Sequence, residues 1–293
     1  MFGSNSQGQL GVGDQSLKAS DNPLLVESLS MNQAISISCG AYHTATVTDK
    51  NEAYAWGLGD KGALGYGHHE NQYFPVRMVS HPSHNVAQSI PVHVKGKSVS
   101  CGDDHSLVLE VSGKLYGCGS NEHGQLANGS KDSDCSLVLV TGINERVVQV
   151  AAGSQHSLIL TESGKALGAG LNNKGQIGSG DTHSSSVPIE VKAPGLKFKT
   201  LHASTFSAGL TDSGDLYLWG ENPSFGESLT PTKEIKLSNV VSAGVGSHFA
   251  AAVDSNGAVY TWGVGEQGEL GLGSYETTEE PEQVGQLEAK QAT

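Results

Sequence analysis

Four residues recur along the chain and leave few folds open to it. They read Gly8-Gln9-Leu10-Gly11, Gly62-Ala63-Leu64-Gly65, Gly124-Gln125-Leu126-Ala127, Gly175-Gln176-Ile177-Gly178 and Gly268-Glu269-Leu270-Gly271, with a worn copy at Gly226-Glu227-Ser228-Leu229. Their first glycines stand 54, 62, 51, 51 and 42 residues apart. A second marker keeps the same register, a glycine after an apolar or small residue: Phe2-Gly3, Trp56-Gly57, Cys118-Gly119, Ala169-Gly170, Trp219-Gly220 and Trp262-Gly263. All 3 tryptophans of the chain fall in this slot. Self-similarity at such a period marks a repeat architecture, in which no unit is large enough to bury its own faces and neighbours must share a core.

A third marker lies between the first two: Cys39-Gly40-Ala41-Tyr42-His43, Cys101-Gly102-Asp103-Asp104-His105 and Ala152-Gly153-Ser154-Gln155-His156. The fourth copy, His202-Ala203-Ser204-Thr205-Phe206, has lost glycine and histidine, and the fifth, Ala243-Gly244-Val245-Gly246-Ser247-His248, reads as carrying one extra residue. Apolar runs such as Ser157-Leu158-Ile159-Leu160 follow, then Ser-Gly or Asn-Gly at 112–113, 163–164, 213–214 and 256–257, then a second run ending in the tryptophan slot. Two short apolar runs joined by such a pair read as a β-hairpin. No segment holds a helical period, so the expected class is all-β. Stacked four-stranded sheets arranged radially, a β-propeller, protect their edges by repetition.

Composition removes other classes. There are 17 basic and 30 acidic residues, a formal net charge of −13. The bulk surface therefore has no general attraction for nucleic-acid phosphates. No run approaches the length of a membrane span and no basic-then-apolar start reads as a secretory signal. The 4 cysteines, with no close pair, suggest neither a disulfide framework nor a structural zinc site. His68, His69, His81 and His84 lack a cysteine or carboxylate at ligand spacing, so no metal is expected. No phosphate-cradling loop or nucleophile elbow is present, and no cofactor is expected.

Every tryptophan precedes glycine and no Gly-Gly doublet occurs, which sets the chain apart from Trp-Asp and kelch-type blades. The combined Gly-Gln-Leu-Gly, Cys/Ala-Gly-x-x-His and Trp-Gly markers resemble the regulator of chromosome condensation repeat, from residue 2 to about 287. The resemblance implies a single propeller over 1–287, with complete units at 3–56, 57–118, 119–169, 170–219 and 220–262. A partial sixth occupies 263–287 and a tail 288–293. Such propellers have about seven blades. Five complete units thus point to a small or open ring, or to part of a longer protein.

The resemblance also implies a function: binding a Ran-type small GTPase or its regulator, in the manner of a guanine-nucleotide exchange factor. A delivered bacterial effector that perturbs the Ran cycle in host cells is one form of it. Localisation is then expected in the cytoplasm, with the nucleus possible. No bond-making site is seen, so exchange is the most the chain would catalyse. The alternative is a passive protein-interaction scaffold. Family positions that contact the GTPase correspond here to Tyr42, Asp103, Asp104, Gln155 and the repeated histidines His43, His105, His156 and His248. Those histidines can equally be architectural, satisfying polar groups at strand ends. The longest unit has its excess at 80–91, where His84 and Ile90 are candidates for a protruding contact loop or an ordinary insertion.

Overall fold

The structure, a computed structural model, describes residues 1–81, 90–224 and 226–285. Strands β1 (Gly3–Ser4) and β2 (Ala19–Ser20) form a two-stranded sheet. Five four-stranded antiparallel sheets follow. The first comprises β3 (Ala34–Cys39), β4 (His43–Thr48), β5 (Ala53–Gly57) and β6 (Gln72–Arg77), and the second β7 (Gly96–Cys101), β8 (His105–Glu110), β9 (Leu115–Gly119) and β10 (Asp134–Leu139). The third comprises β11 (Val147–Ala152), β12 (His156–Thr161), β13 (Ala166–Gly170) and β14 (Ser185–Glu190). The fourth comprises β15 (Phe198–Ala203), β16 (Ser207–Thr211), β17 (Leu216–Asn222) and β18 (Gly226–Lys233), and the fifth β19 (Val240–Val245), β20 (Phe249–Asp254), β21 (Val259–Gly263) and β22 (Thr278–Gln283). Among the described residues, apart from a single 3-10 turn at Glu27–Leu29, the regular structure is all strand.

Each sheet straddles two of the sequence units. The markers close a unit at the end of the third strand, whereas the fourth strand of that sheet lies beyond the next glycine-rich loop. The partial unit at 263–287 accordingly provides β22 to the fifth sheet. The worn copy at 226–229 is no loop at all: Asn222 pairs with Gly226, so β17 and β18 join by a short hairpin and those residues open the outer strand.

The first strands of the sheets, β3, β7, β11, β15 and β19, lie side by side around a common channel. Each is an edge strand whose free N–H groups need partners. Small polar side chains of the neighbouring edge supply them. Ser36 Oγ accepts from Val99 N at 3.2 Å, Ser38 Oγ from Cys101 N at 2.9 Å and Ser100 Oγ from Ala152 N at 2.9 Å. Gln149 makes two bonds of 2.9 Å to the backbone of Leu201. This accounts for the paired serines of β3 and β7 and for Gln149 in β11.

The core is a series of inter-sheet layers. One joins Ala45, Val47 and Ala55 of the first sheet to Val99, Val108 and Cys118 of the second, and others repeat around the ring. Trp56, Trp219 and Trp262 are fully buried at equivalent positions, at the end of the third strand. Trp219 sits against Phe198 at 5.9 Å between centroids and donates from Nε1 to Gln176 O at 3.0 Å. Replacing Trp219 by alanine removes this filling and the bond together. An unfolding titration should show a loss of about 3–5 kcal/mol.

Candidate functional site

In three sheets the second strand opens with a histidine followed by serine or threonine, and that pair is the hinge of the whole arrangement. His43 Nε2 lies 2.8 Å from Ser106 Oγ of the next sheet, His105 Nε2 3.0 Å from Ser157 Oγ and His156 Nε2 2.8 Å from Ser207 Oγ. Each serine hydroxyl already donates to a carbonyl of the glycine-rich loop: Ser106 to Ala63, Ser157 to Gln125, Ser207 to Gln176. Its one proton is thus spent, so the imidazole must donate from Nε2. All three histidines are fully buried. Burial pushes the His43 and His156 imidazoles down to about 4 and His105 to about 3, the latter helped by the two flanking histidines.

These residues cannot touch a partner. His43, His105 and His156 are architectural. His248 does not occupy the histidine slot. Phe249 pairs with Gly263 as His43 pairs with Gly57, and Gly246 N donates to Phe249 O as Gly40 N does to His43 O. The fifth loop has the ordinary length, and the fourth is one residue shorter, with Phe206 in the slot. The serine position responds to both changes. Ala250 stands in the sheet facing Phe206, so loss of the donor accompanies loss of the acceptor. The serine after each histidine, visible as His-Ser at 105–106 and 156–157, was the signal for this pairing.

The residue before the slot points outward. Tyr42, Asp104, Gln155, Thr205 and His248 form a rim, and the carbonyls of four of them accept from the residue after the slot glycine: Leu58, Ser120, Leu171 and Val264. Inside it, Ala41 N donates to Asp103 O, Asp103 N to Ser154 O, Ser154 N to Ser204 O, and the Thr205 hydroxyl to Ser247 O. Gly40, Gly102 and Gly153 line an open cavity of about 310 Å³ together with Cys39, Cys101 and Val245. The structure therefore brings Tyr42, Asp103, Asp104, Gln155 and His248 to one face. Asp103 is exposed and Asp104 half-buried. Partial burial, then Asp103 and Asp60, push the Asp104 carboxyl up, while Lys61 opposes them.

The described base of the insertion lies away from this face. This base, where Ser80 pairs with Val92, shares a cavity with Glu110, at the far end of β8 from His105. Six strand residues separate the two ends by about 17 Å. Ile90 is exposed there, and His84 lies outside the described residues. Among the described residues no three His, Cys, Asp or Glu side chains converge to hold a metal. Cys101 and Cys118 are buried thiols, the first pushed up to about 12 by desolvation, whereas Cys39 is exposed at the rim of the channel.

A residue not singled out in the sequence shapes the glycine-rich loops. Asn5, Asn121 and Asn172, two positions after the slot glycine, are buried. Each accepts from the backbone of Leu10, Leu126 or Ile177 and donates to two carbonyls across its loop. The Gly-x-Asn spacing was its trace in the sequence.

The neutral imidazoles give a pH signature. An unfolded histidine titrates near 6.5 and these titrate lower when folded, so the unfolded state binds more protons in between. Stability is full above about 6.5 and falls as pH drops toward 4. The pair His156→Phe with Ser207→Ala copies the Phe206–Ala250 contact. It should fold and reduce the pH dependence of urea unfolding between these limits by about one proton; an unchanged slope would count against the assignment.

The fold and rim can now be set beside known proteins. The chain is 31% identical over 291 residues to the ultraviolet-B receptor UVR8 of Arabidopsis thaliana, covering 93% of this chain and 62% of that protein. It thus spans less than two thirds of that relative. Human WBSCR16 superposes with a TM-score of 0.81 at 24% identity over 97% of this chain and 75% of its own. Prp20p of Saccharomyces cerevisiae, described with its binding properties to Gsp1p and histones, gives 0.62 at 24% identity over 97% and 84%. At that identity the likeness speaks to the fold. Residues 1–293 match the family described as RCC1-like domain, and the chain belongs to that family.

Proposed function

We propose that this chain is a protein-docking propeller whose rim engages a basic surface of a Ran-like small GTPase and modulates its nucleotide cycle. The observation that carries the reading is the acidic arc of the rim. Asp103 and Asp104 adjoin Asp60, and Glu122 also raises the Asp104 carboxyl, with Lys61 alone in opposition. A cationic partner would relieve that repulsion on contact. The net charge of −13 would steer such a partner from a distance. Prp20p, with the same fold, is described as binding Gsp1p and histones, which supports a protein partner.

Exchange requires no bond-making group. A regulator of this kind works by binding the nucleotide-free form of its partner better than the loaded form, and the difference in affinity sets the acceleration. A second reading rests on the other half of the rim. Ser154, Ser204 and Ser247 stand where Asp103 stands in the second sheet, and Gln155, Thr205 and His248 where Asp104 stands, so the charged contact is one-sided. A scaffold that binds without affecting nucleotide would need no more.

Asp103→Ala with Asp104→Ala separates these readings from an unrelated site. The double variant should bind a Ran-type GTPase roughly tenfold more weakly at low salt, as expected for two exposed charge pairs. The deficit should shrink at high salt. Thermal unfolding should stay within about 0.5 kcal/mol of the parent, since both backbones keep their bonds. Release of a fluorescent guanine nucleotide, measured alongside, distinguishes regulation from passive binding. Equal affinity of parent and variant would remove the rim from the function.

A further inference from the structure

Proline occupies one register of the outer strand in four of the five sheets. Pro75, Pro188, Pro231 and Pro281 each follow by three residues the partner of the slot glycine, which is Gln72, Ser185, Ser228 or Thr278. Proline has no N–H and so blunts an edge strand against further pairing. In β10 the partner is Asp134, and the same register falls on Leu137. Its N–H donates to Val79 O at 2.8 Å, and the next residue, Ser80, exchanges bonds of 2.8 and 2.7 Å with Val92. The second sheet thus grips the base of the insertion at a point where the other outer strands have no donor to offer.

That grip bounds a cavity of about 520 Å³, at the end of β8 away from the rim. Its lining is apolar at Val94, Leu137 and Leu139 and polar at Glu110, Tyr116 and Asn128. Each of these three polar residues keeps an atom that the fold leaves unused. Glu110 ends its strand where the first, third and fourth sheets have Thr48, Thr161 and Thr211. One Glu110 oxygen accepts from Ser112, and the other has no partner among the described residues. The hydroxyl of Tyr54, the equivalent of Tyr116, donates to Glu52 at 2.9 Å, whereas no described residue bonds the Tyr116 hydroxyl. Asn128 Oδ1 accepts from Asn121 Nδ2 at 3.3 Å and Ser130 N at 3.0 Å, which leaves its amide N–H groups unpaired. Burial, then the Glu110 charge, push the Tyr116 phenol up, so the two groups share one field. No lysine or arginine is among the lining residues, and the other titratable groups there are His81 and His93.

We propose that this cavity binds a small organic ammonium compound with an apolar body and one hydrogen-bond-accepting oxygen. The ammonium donates to the spare Glu110 oxygen and to the Tyr116 hydroxyl. The body lies against Val94, Leu137 and Leu139, and the oxygen accepts from the Asn128 amide. The volume falls within the range of small-molecule pockets, about 300–1,000 Å³. A carboxylate with no cationic neighbour in a partly desolvated cleft selects a cation over a neutral or anionic guest, and the net charge of −13 concentrates cations around the chain. Three departures from the repeat meet here: leucine for proline, glutamate for threonine, and the insertion. Asp103 and Asp104 take no part, so this site and the rim stand or fall separately.

Tyramine carries all three features and is the probe, titrated calorimetrically into the full chain at pH 8, above the ordinary imidazole pKa of about 6.5. The expected result is one saturable site per chain and a melting temperature raised by the ligand. 3-(4-Hydroxyphenyl)propionate, which exchanges the ammonium for a carboxylate on the same body, should show no saturable binding. Glu110→Gln keeps an acceptor for Ser112 and should weaken tyramine about tenfold or more, the scale of a lost hydrogen bond to a charged group. Its melting temperature without ligand should equal that of the parent. Leu139→Lys sets a cation at a part-exposed position of the lining and should abolish binding while the chain stays folded. Absence of saturable binding up to about 1 mM tyramine, the weak end of specific affinity, overturns the proposal. So does equal binding of the two compounds, or undiminished binding by the folded Glu110→Gln chain.

Discussion

One carbonyl per repeat holds the ring together. In the segment Gly-x-apolar-small, the oxygen of the second residue faces the next sheet and receives one donor from it at Gln125 and two at Gln9, Ala63 and Gln176. Gln9 O takes Thr44 Oγ1 at 2.9 Å and Trp56 Nε1 at 2.9 Å; Gln176 O takes Ser207 Oγ at 2.7 Å and Trp219 Nε1 at 3.0 Å. Ala63 O takes Ser106 Oγ at 2.8 Å and the Cys118 thiol at 3.5 Å. Where a tryptophan fills the slot opposite, the loop has no room for a side chain at its fourth position. At Gly11 and Gly178 a Cβ would lie 2.6 and 2.9 Å from the tryptophan ring nitrogen. Leaving such a buried carbonyl unpaired would cost about 1–3 kcal/mol, so each loop carbonyl is matched by a hydroxyl of the next sheet, joined by an indole at Trp56 and Trp219.

The clasp fixes the protonation of what lies above it. Because the serine proton goes to the loop, the histidine must be a neutral Nε2–H donor, and the desolvated site keeps it so. The fourth junction shows the alternative solution. Phe206 and Ala250 replace both partners by apolar groups, which avoids an unsatisfied hydroxyl in the dry interface. There Trp262, with no glycine-rich loop to reach, donates to Ser224 Oγ at 2.8 Å instead. The two solutions share one backbone, and the rim residue before the slot keeps its position in either.

Much of this was legible as pattern. Trp56, Trp219 and Trp262 fell in one slot, and the structure buries them at one position. The turn pairs marked the hairpins between second and third strands. What escaped depended on geometry that a linear motif does not carry. His248 looked like the fifth histidine because the residue type matched, whereas the slot is defined by pairing with the following glycine, and that register selects Phe249. The role of His43, His105 and His156 was open in the sequence because a repeated polar residue suits either a contact ring or a buried joint. Only the position of Ser106, Ser157 and Ser207 in the neighbouring sheet decides it. The insertion at 80–91 could be seen as extra length, but the end of the sheet from which it leaves is set by strand direction across two hairpins.

This division of labour bears on how a face of this kind can change. The inward residue of each pair answers to a carbonyl, a hydroxyl and a ring in the next sheet, so substitution there needs a matching change across the junction. The outward residue contributes only its backbone carbonyl to the fold, through the bond from Leu58, Ser120, Leu171 or Val264. Apart from Thr205, whose hydroxyl donates to Ser247 O, the side chain is not tied to the scaffold, and the rim runs through tyrosine, aspartate, glutamine, threonine and histidine. The residue before the slot and its neighbour are therefore the positions that can vary without a matching change elsewhere in the fold. In this chain that gives an acidic sector on the second sheet, flanked by the aromatic ring of Tyr42 and the amide of Gln155.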